Sequence, residues 1–485
     1  MGLFRVFRIA HLRSRAFLNP PAAFLNWEYV PLPWIQPAEC APYFVTEENL
    51  SWTPVGHNSA ITWPDLAGLF RRRNSQAVVR HLEMLREHGV TCIRVMLEYC
   101  RRDHRYLENP VGRFVPNMVS YWDDLFAICE QVGMRLLLTP FDTFWMWLRW
   151  RVHPYNSRNG GPCDDRRRVL ICQQTRDAIK NRLAFATDRW GASGALFAWD
   201  LWNEIHPAYA GNCADGFSDF IDDVGGFLRS LEVRLHGRAH PQTISVFTPL
   251  MIDHPVIAET IFRHPALDFA NTHFYEEGTI DDPRDTVTPA VSAACLSRRA
   301  IAEAPPLRPF FDSEHGPIHT FKDHHKTLPE PFDDEYFRHM QWAHFATGGA
   351  GGSMRWPNRK PHILTPGMHV AQRGLARFLT LLDWRTFRRR PLEFETKHVF
   401  GCGDSRQAVL WAVRPDAIGA NGMLDRSRPP LEITLRIPDL QPGQYLVTHW
   451  DTLVGQPVAE HALAHDEPLV LKLRADLAVA VRPFT

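Results

Sequence analysis

From about residue 75 to residue 356 the apolar residues of this chain switch repeatedly between two spacings, one fitting a helix face and one fitting a buried strand. Ser75 is placed to cap a helix that carries Val78, Leu82 and Leu85 on one face and ends at Gly89. Residues 90–97 then read as a buried strand. A second helix holds Leu125, Cys129 and Val132, stops at Gly133 and leads into residues 134–138. A third runs from Thr175 through Ile179, Leu183, Ala186 and Trp190 to Gly191, and residues 195–199 follow as a strand. A helix with Phe217, Ile221, Val224 and Leu228 precedes a strand at 243–247. Residues 267–273 and 309–313 read as the sixth and seventh strands. A helix around Tyr336, Met340 and Ala343 leads to an eighth at 351–356, and the first lies near 55–58. Strand, helix, strand repeated in this way requires parallel strands with helical crossovers. Eight such units close most economically into an α/β fold of the (β/α)8 TIM-barrel type. The rival, an open doubly wound sheet, often carries a Gly-rich first turn, which is missing here.

The pattern changes after about residue 390. Leu431, Ile433, Leu435 and Ile437 alternate with polar residues, as do Leu469, Leu471 and Leu473, and turns such as Pro442-Gly443 and Val454-Gly455 separate short runs. A chain of 485 residues is too long for one ordinary domain. The expected division is an N-terminal arm (1–41), a catalytic barrel (42–388) and a small antiparallel β-sandwich (389–485). The sandwich either braces the barrel or binds carbohydrate. Bracing is the better reading, because no cluster of exposed aromatics is evident in it.

Lys plus Arg number 54 and Asp plus Glu also 54, so no global field draws the chain onto nucleic acid or an anionic membrane. A neutral or only locally charged substrate is expected. Arginines interrupt the apolar residues of the N-terminus, so no secretory signal is expected and the cytoplasm is the default compartment; no run is long enough for stable membrane insertion. The nine cysteines show no metal-type pair; Cys92 and Cys129 read as buried small residues, while a bridge between Cys163 and Cys172 is left open. His315, His319, His324 and His325 lack metal-ligand spacing, and the glycines at 348–352 lack the Lys-Ser/Thr of a phosphate loop. No metal and no other cofactor is expected.

In such a barrel the chemistry lies at the C-terminal strand ends. Those ends supply Asn58, Arg94 and Glu98, Phe141-Asp142, Trp202-Asn203-Glu204, His273-Phe274-Tyr275, Glu314 and Trp356. Glu204 and Glu314, on strands four and seven, would face each other. Paired carboxyl groups flanking one bond are the basis of glycosidic cleavage, one protonating the leaving oxygen while the other attacks the anomeric carbon or activates water. Either glutamate alone could instead be half of a structural ion pair, a reading that weakens for the two together on strands four and seven.

The run Phe197-Ala198-Trp199-Asp200-Leu201-Trp202-Asn203-Glu204 resembles the strand-four signature of the clan of retaining barrel glycosidases. His273-x-Tyr275, Glu314 and Trp356 fall in that clan's order. Phe44-Val45 followed by Gly56-His57-Asn58 is similar to the first strand of glycoside hydrolase family 5, particularly its β-mannanase-like and cellulase-like members. The resemblance spans roughly residues 42–385. It implies Glu204 as general acid and then base, and Glu314 as nucleophile, with Arg94 and Tyr275 donating hydrogen bonds to Glu314. It also implies Asn203 on the 2-hydroxyl of the reacting sugar, His273 orienting the sugar or the acid, and Trp356 as the floor beneath the ring. Retention requires the two carboxyl groups about 5–5.5 Å apart. The expected activity is hydrolysis of β-glycosidic bonds in a β-mannan-type or β-glucan-type polysaccharide or oligosaccharide. A transglycosylase on the same residues, and a non-catalytic carbohydrate-binding or polysaccharide-assembly protein, are the alternatives.

Two positions depart from the family pattern: Phe141-Asp142-Thr143 stands where many members end strand three with His, and Ile205-His206 precede Pro207 after the Asn-Glu pair. A long Trp-rich insertion follows strand three. Trp145 and Trp147 in it, with Trp150, are expected to line sugar subsites or to pack the loop, and Asn58 and Asp142 join the substrate-binding candidates. Glu276 reads as solvated or structural.

Overall fold

Asn74, one residue before the expected cap, starts the first long helix, α1 (Ser75–Glu87): its side chain accepts from the Ala77 backbone N–H at 3.2 Å. Val78, Val79, Leu82 and Leu85 bury the inner face of α1. The next helix, α2 (Pro116–Val132), ends as its sequence requires, with Gly133 at φ +76° in the left-handed region that a Cβ disfavours. The remaining crossover helices are α3 (Gln173–Trp190), α4 (Gly226–His236), α5 (Thr288–Glu303), α6 (Glu330–Ala346) and α7 (Pro366–Leu379). This computed structural model describes residues 31–71, 74–99, 105–213, 215–256, 258–275, 283–317, 327–357, 359–396 and 399–484. The expectations for the N-terminal arm before residue 31, for Glu276 and for His319, His324 and His325 lie outside the described residues.

Between the helices run parallel strands: β1 (Gly56–Ser59), β2 (Cys92–Met96), β3 (Arg135–Thr139), β4 (Leu196–Asp200) and β5, in two pieces (Gln242–Thr243 and Ser245–Phe247). They are followed by β6 (Ala270–Phe274) and β7 (Phe310–His315). Each pairs with the next in sequence order, β1 through the first piece of β5 in one sheet and the second piece of β5 through β7 in another. Strand β1 sits so close to β2 that a Cβ on Gly56 would fall 1.7 Å from the Cys92 carbonyl oxygen. Strands β2, β3 and β4 are buried along their whole length and mostly apolar, as parallel strands covered on both faces are, with Arg94, Arg135, Thr139 and Asp200 as their polar positions.

The eighth segment differs from its expectation. In place of a strand over 351–356, Arg355 alone bridges in parallel to both His57 of β1 and His315 of β7. Around it the Met354 carbonyl accepts from His315, and the Arg355 carbonyl accepts from Asn58. The glycines at 348–352 explain the short pairing: they weaken strand propensity and admit close approach, and a Cβ on Gly351 would meet the Pro54 carbonyl oxygen at 2.4 Å.

At the N-terminal ends of the parallel strands lies a three-stranded antiparallel sheet, Ile35–Pro37, Phe44–Thr46 and Ser51–Trp52. Phe44 meets Phe197 and Phe269 edge-to-face at 5.0 and 5.4 Å, and Trp52 meets Phe197 at 4.6 Å. These aromatics pack an apolar layer against that end.

The C-terminal strands form an antiparallel six-stranded sheet, Arg390–Leu392, Val399–Gly403, Ala408–Val413, Asp476–Pro483, Gln444–Asp451 and Gln456–Ala464, in that spatial order. Leu431–Leu435 and Leu469–Leu473 pair separately. Leu410, Val447 and Val479 of the first sheet share one buried core with Ile433, Leu471 and Leu473 of the second. Contacts to α6 and α7 follow: Trp450 lies edge-to-face on Phe378, and buried Asp476 accepts from Arg426 at 2.7 Å with Arg338 at 3.7 Å. Cys163 and Cys172 are both free thiols, so the bridge left open by their spacing does not form.

Candidate active site

Glu204 lies four residues beyond β4, in the left-handed region at φ +50°, a conformation that costs a non-glycine residue about 1–2 kcal/mol. The backbone before it is fixed by a parallel bridge between Asp142 and Asn203. Its own N–H donates to the Ser245 hydroxyl at 3.1 Å. Glu314 stands in β7, where the pairing with β6 slips: Thr272 opposes Asp312, yet His273 opposes Glu314. The extra residue, Ser313, is a bulge that re-aims the following side chain. Its hydroxyl lies 3.1 Å from Nε2 of His273, whose Nδ1 is 2.9 Å from Glu204 Oε1 and 3.9 Å from Glu314 Oε2. One oxygen of Glu204 and one of Glu314 lie within 4.8 Å of each other.

Arg94, 1% exposed, organises the floor. Its guanidinium donates to Glu314 Oε2 at 2.8 Å, to Asp200 Oδ2 at 2.8 Å, to Asn58 Oδ1 at 3.0 Å and to the Asn203 side-chain oxygen. Tyr275 donates its hydroxyl to Glu314 Oε1 at 2.8 Å. Asn203 in turn donates to Asp142 Oδ1 at 2.6 Å, and the other oxygen of Asp142 caps the helix Thr143–Arg149 through the Trp145 N–H. Ser245 ties the two levels together, because the hydroxyl that accepts from Glu204 donates to Asp200 at 3.0 Å.

The two glutamates share a cation but not a setting. Burial pushes Glu204 up to about 7, against the pull of Arg94 and with a further push from Asp200. Burial also raises Glu314, but His273, Arg94 and the Tyr275 hydroxyl oppose it. Burial drives His273 down to about 4, so its ring is neutral near pH 7. What stabilises the Glu314 anion there is therefore the Arg94 ion pair and the Tyr275 hydrogen bond. Glu204, 20% exposed against 6% for Glu314, has a neutral imidazole as its partner and keeps its proton more readily. Burial likewise raises Asp142 to about 7.

Of the residues singled out in the sequence, Glu204, Glu314, Arg94, Asn203, His273, Tyr275, Asn58 and Asp142 thus form one connected network. Trp356, half-buried, meets Trp63 edge-to-face at 4.8 Å and Tyr99 at 6.4 Å, and Tyr99 also meets Trp145 at 5.4 Å. Trp145 and Asp142 line a small pocket with Met96, Glu98, Phe141 and His153. Trp147 is engaged elsewhere: the Arg166 guanidinium lies 3.3 Å over its ring, and Tyr209 sits 5.5 Å away. Glu98 turns from the network to Arg182, at 3.1 Å. Sequence reasoning passed over Asp200, Ser245, Ser313, Trp63 and Tyr99. An acid ending the apolar run Leu196-Phe197-Ala198-Trp199 was a signal for Asp200; the others show only in the fold. Glu204, His273 and Glu314 offer three ligand-type atoms close enough for a metal, but the Arg94 guanidinium already neutralises Glu314.

No protein-family model and no curated relative matches the sequence. Solved structures share its fold. The chain is similar to a glycoside hydrolase with a TM-score of 0.59 at 13% identity, over 93% of this chain and 98% of that one. It is similar to a glycoside hydrolase family 5 protein from Bacteroides vulgatus with a TM-score of 0.58 at 12% identity, over 93% of this chain and 94% of that one. It is also similar to an exo-β-1,4-mannosidase from an Opitutaceae bacterium, with a TM-score of 0.52 at 16% identity, over 71% of this chain and 62% of that one. The fold is that of glycoside hydrolases of the family 5 type.

Proposed function

We propose that this chain is a retaining glycoside hydrolase whose parallel strands close, through Arg355, into a (β/α)8 barrel, with residues 389–485 bracing it. The carrying observation is the pair of carboxyl groups, with oxygens within 4.8 Å of each other and unequal electrostatic surroundings. Inverting enzymes need room for a water between the carboxyls, about 6.5–9.5 Å, whereas retaining enzymes hold them about 5–5.5 Å apart. Glu314, ionised beside Arg94 and Tyr275, attacks the anomeric carbon and forms a glycosyl-enzyme. Glu204 gives its proton to the leaving oxygen, then takes one from the water that releases the sugar. Asn203, held between Arg94 and Asp142, faces the 2-hydroxyl, and Trp356 with Trp63 and Tyr99 supplies the apolar wall for a ring. β-Linked mannosides lead as substrates, because an exo-β-1,4-mannosidase shares the fold, with β-glucosides next.

The test is stereochemical. Wild-type protein acting on β-linked manno- or gluco-oligosaccharides, followed by NMR from the first minutes, is expected to release the β-anomer before mutarotation. A first-formed α-anomer would overturn the assignment.

The pH dependence follows from Glu204. It must carry its proton in the free enzyme, so kcat/KM is expected to fall as pH rises through about 7. On an aryl glycoside whose leaving group needs no proton, Glu204→Gln should remove that alkaline limb from the first, glycosylation step. An unchanged limb in this variant would assign the titration to another group.

A further inference from the structure

Away from the strand-end network, His57, Asp65 and His81 each bring one ligand-type atom within 4.8 Å of the others. They come from three places in the fold: His57 from β1, Asp65 from the turn after it and His81 from α1. The neighbouring Asn58 faces Arg94, and strand alternation puts His57 on the opposite face, where its ring meets that of His369 at 6.2 Å. We propose that His57, Asp65 and His81 bind one divalent transition-metal cation of the zinc type, which fastens the segment after β1 to β1 and α1.

Two imidazoles and a carboxylate are a donor set that zinc takes at about 2.0–2.2 Å, with the fourth position filled here by water. His81 Nε2 stands 3.7 Å from Asp65 Oδ2, too far for a hydrogen bond and near the separation of two ligands on one tetrahedral ion. The side chains of His81 and Asp65 are 18% and 15% exposed, which leaves a cation a route in. Gln372 holds the neighbouring ring of His369, its Oε1 lying 3.0 Å from Nδ1 of His369 while its Nε2 donates to the Gly56 carbonyl at 2.9 Å. Trp63, two residues before Asp65, forms one side of the aromatic wall with Trp356 and stacks on His362 at 4.6 Å. A cation here would fix that wall from behind. The spacing of positions 57, 65 and 81 fits no helical metal motif, so the trio shows only in the fold.

Full-length protein stripped by chelator and titrated with Zn2+ in a calorimeter is expected to bind one equivalent at micromolar Kd or tighter. Co2+ should give the visible absorption of a four-coordinate site. His81→Ala and Asp65→Asn should each weaken Zn2+ binding at least about tenfold while keeping wild-type circular dichroism. The double variant Glu204→Gln/Glu314→Gln, which disables the other trio, should bind as wild type does. No saturable binding at millimolar Zn2+, wild-type binding in both His81→Ala and Asp65→Asn, or binding lost in the glutamine pair would overturn the proposal.

Discussion

Replacing Glu314 by alanine is expected to lower turnover of a β-mannoside or β-glucoside by roughly four orders of magnitude, about 5 kcal/mol of transition-state stabilisation. The size follows from what is removed. Among the described residues no other carboxylate is free to take its place, because Glu204 is turned to His273 and Asp200 is wholly buried beneath Arg94 and Ser245. The missing carboxylate leaves a space bordered by the Arg94 cation and the Tyr275 hydroxyl, suited to a small anion. Azide is therefore expected to restore part of the activity on an activated aryl β-glycoside and to leave as the α-glycosyl azide. In Glu204→Ala the same anion should instead attack the glycosyl-enzyme and give the β-glycosyl azide. Turnover within tenfold of wild type in Glu314→Ala, or a β-azide from it, would remove Glu314 from the nucleophile's place.

The order of helices and strands was readable because burial imposes its period on the sequence: Val78, Leu82 and Leu85 had to share a face once α1 packed against the sheet. The strand-end network was readable for a related reason. A Glu, Asn, Arg or His closing an apolar strand has one direction in which to point, and eight of the chosen residues do meet. What was hidden depended on partners far away in sequence. Asp200 gains its meaning only when Arg94, 106 residues earlier, arrives beside it. Trp145 and Trp147 are nearly identical in local sequence, yet Tyr99 stands by one and Arg166 covers the other. Ser313 looks like an ordinary strand residue until the register slip makes it the bulge that brings His273 opposite Glu314. The eighth segment was read as a full strand from position alone; its glycines left one bridged residue, which still links β7 to β1.

Arg94→Met should unfold the protein more easily and silence it for separable reasons. The substitution keeps most of the side-chain volume and removes the one cation that faces Glu314, Asp200, Asn58 and Asn203 together. Breaking a buried ion pair by deleting one partner costs about 3–5 kcal/mol, because the remaining charge has neither water nor a counter-ion. Asp200, fully buried, is then left without a counter-ion, with its hydrogen bonds from Ser245 and Thr139. The added change Asp200→Asn removes that stranded charge and is expected to recover part of the lost denaturation midpoint. Activity should not follow. With the guanidinium gone, burial acts on Glu314 against the Tyr275 hydroxyl alone among its direct partners, so its carboxyl shifts further upward and the acid limb of kcat/KM moves to higher pH. The two measurements thus pull apart. Denaturation curves should rank wild type above the double variant and the double variant above Arg94→Met, while kcat/KM stays low in both variants. A single variant as stable as wild type would mean that Arg94 is not a buried counter-ion. Recovered activity in the double variant would mean that Arg94 acts on the fold of the site and not on the charge of Glu314.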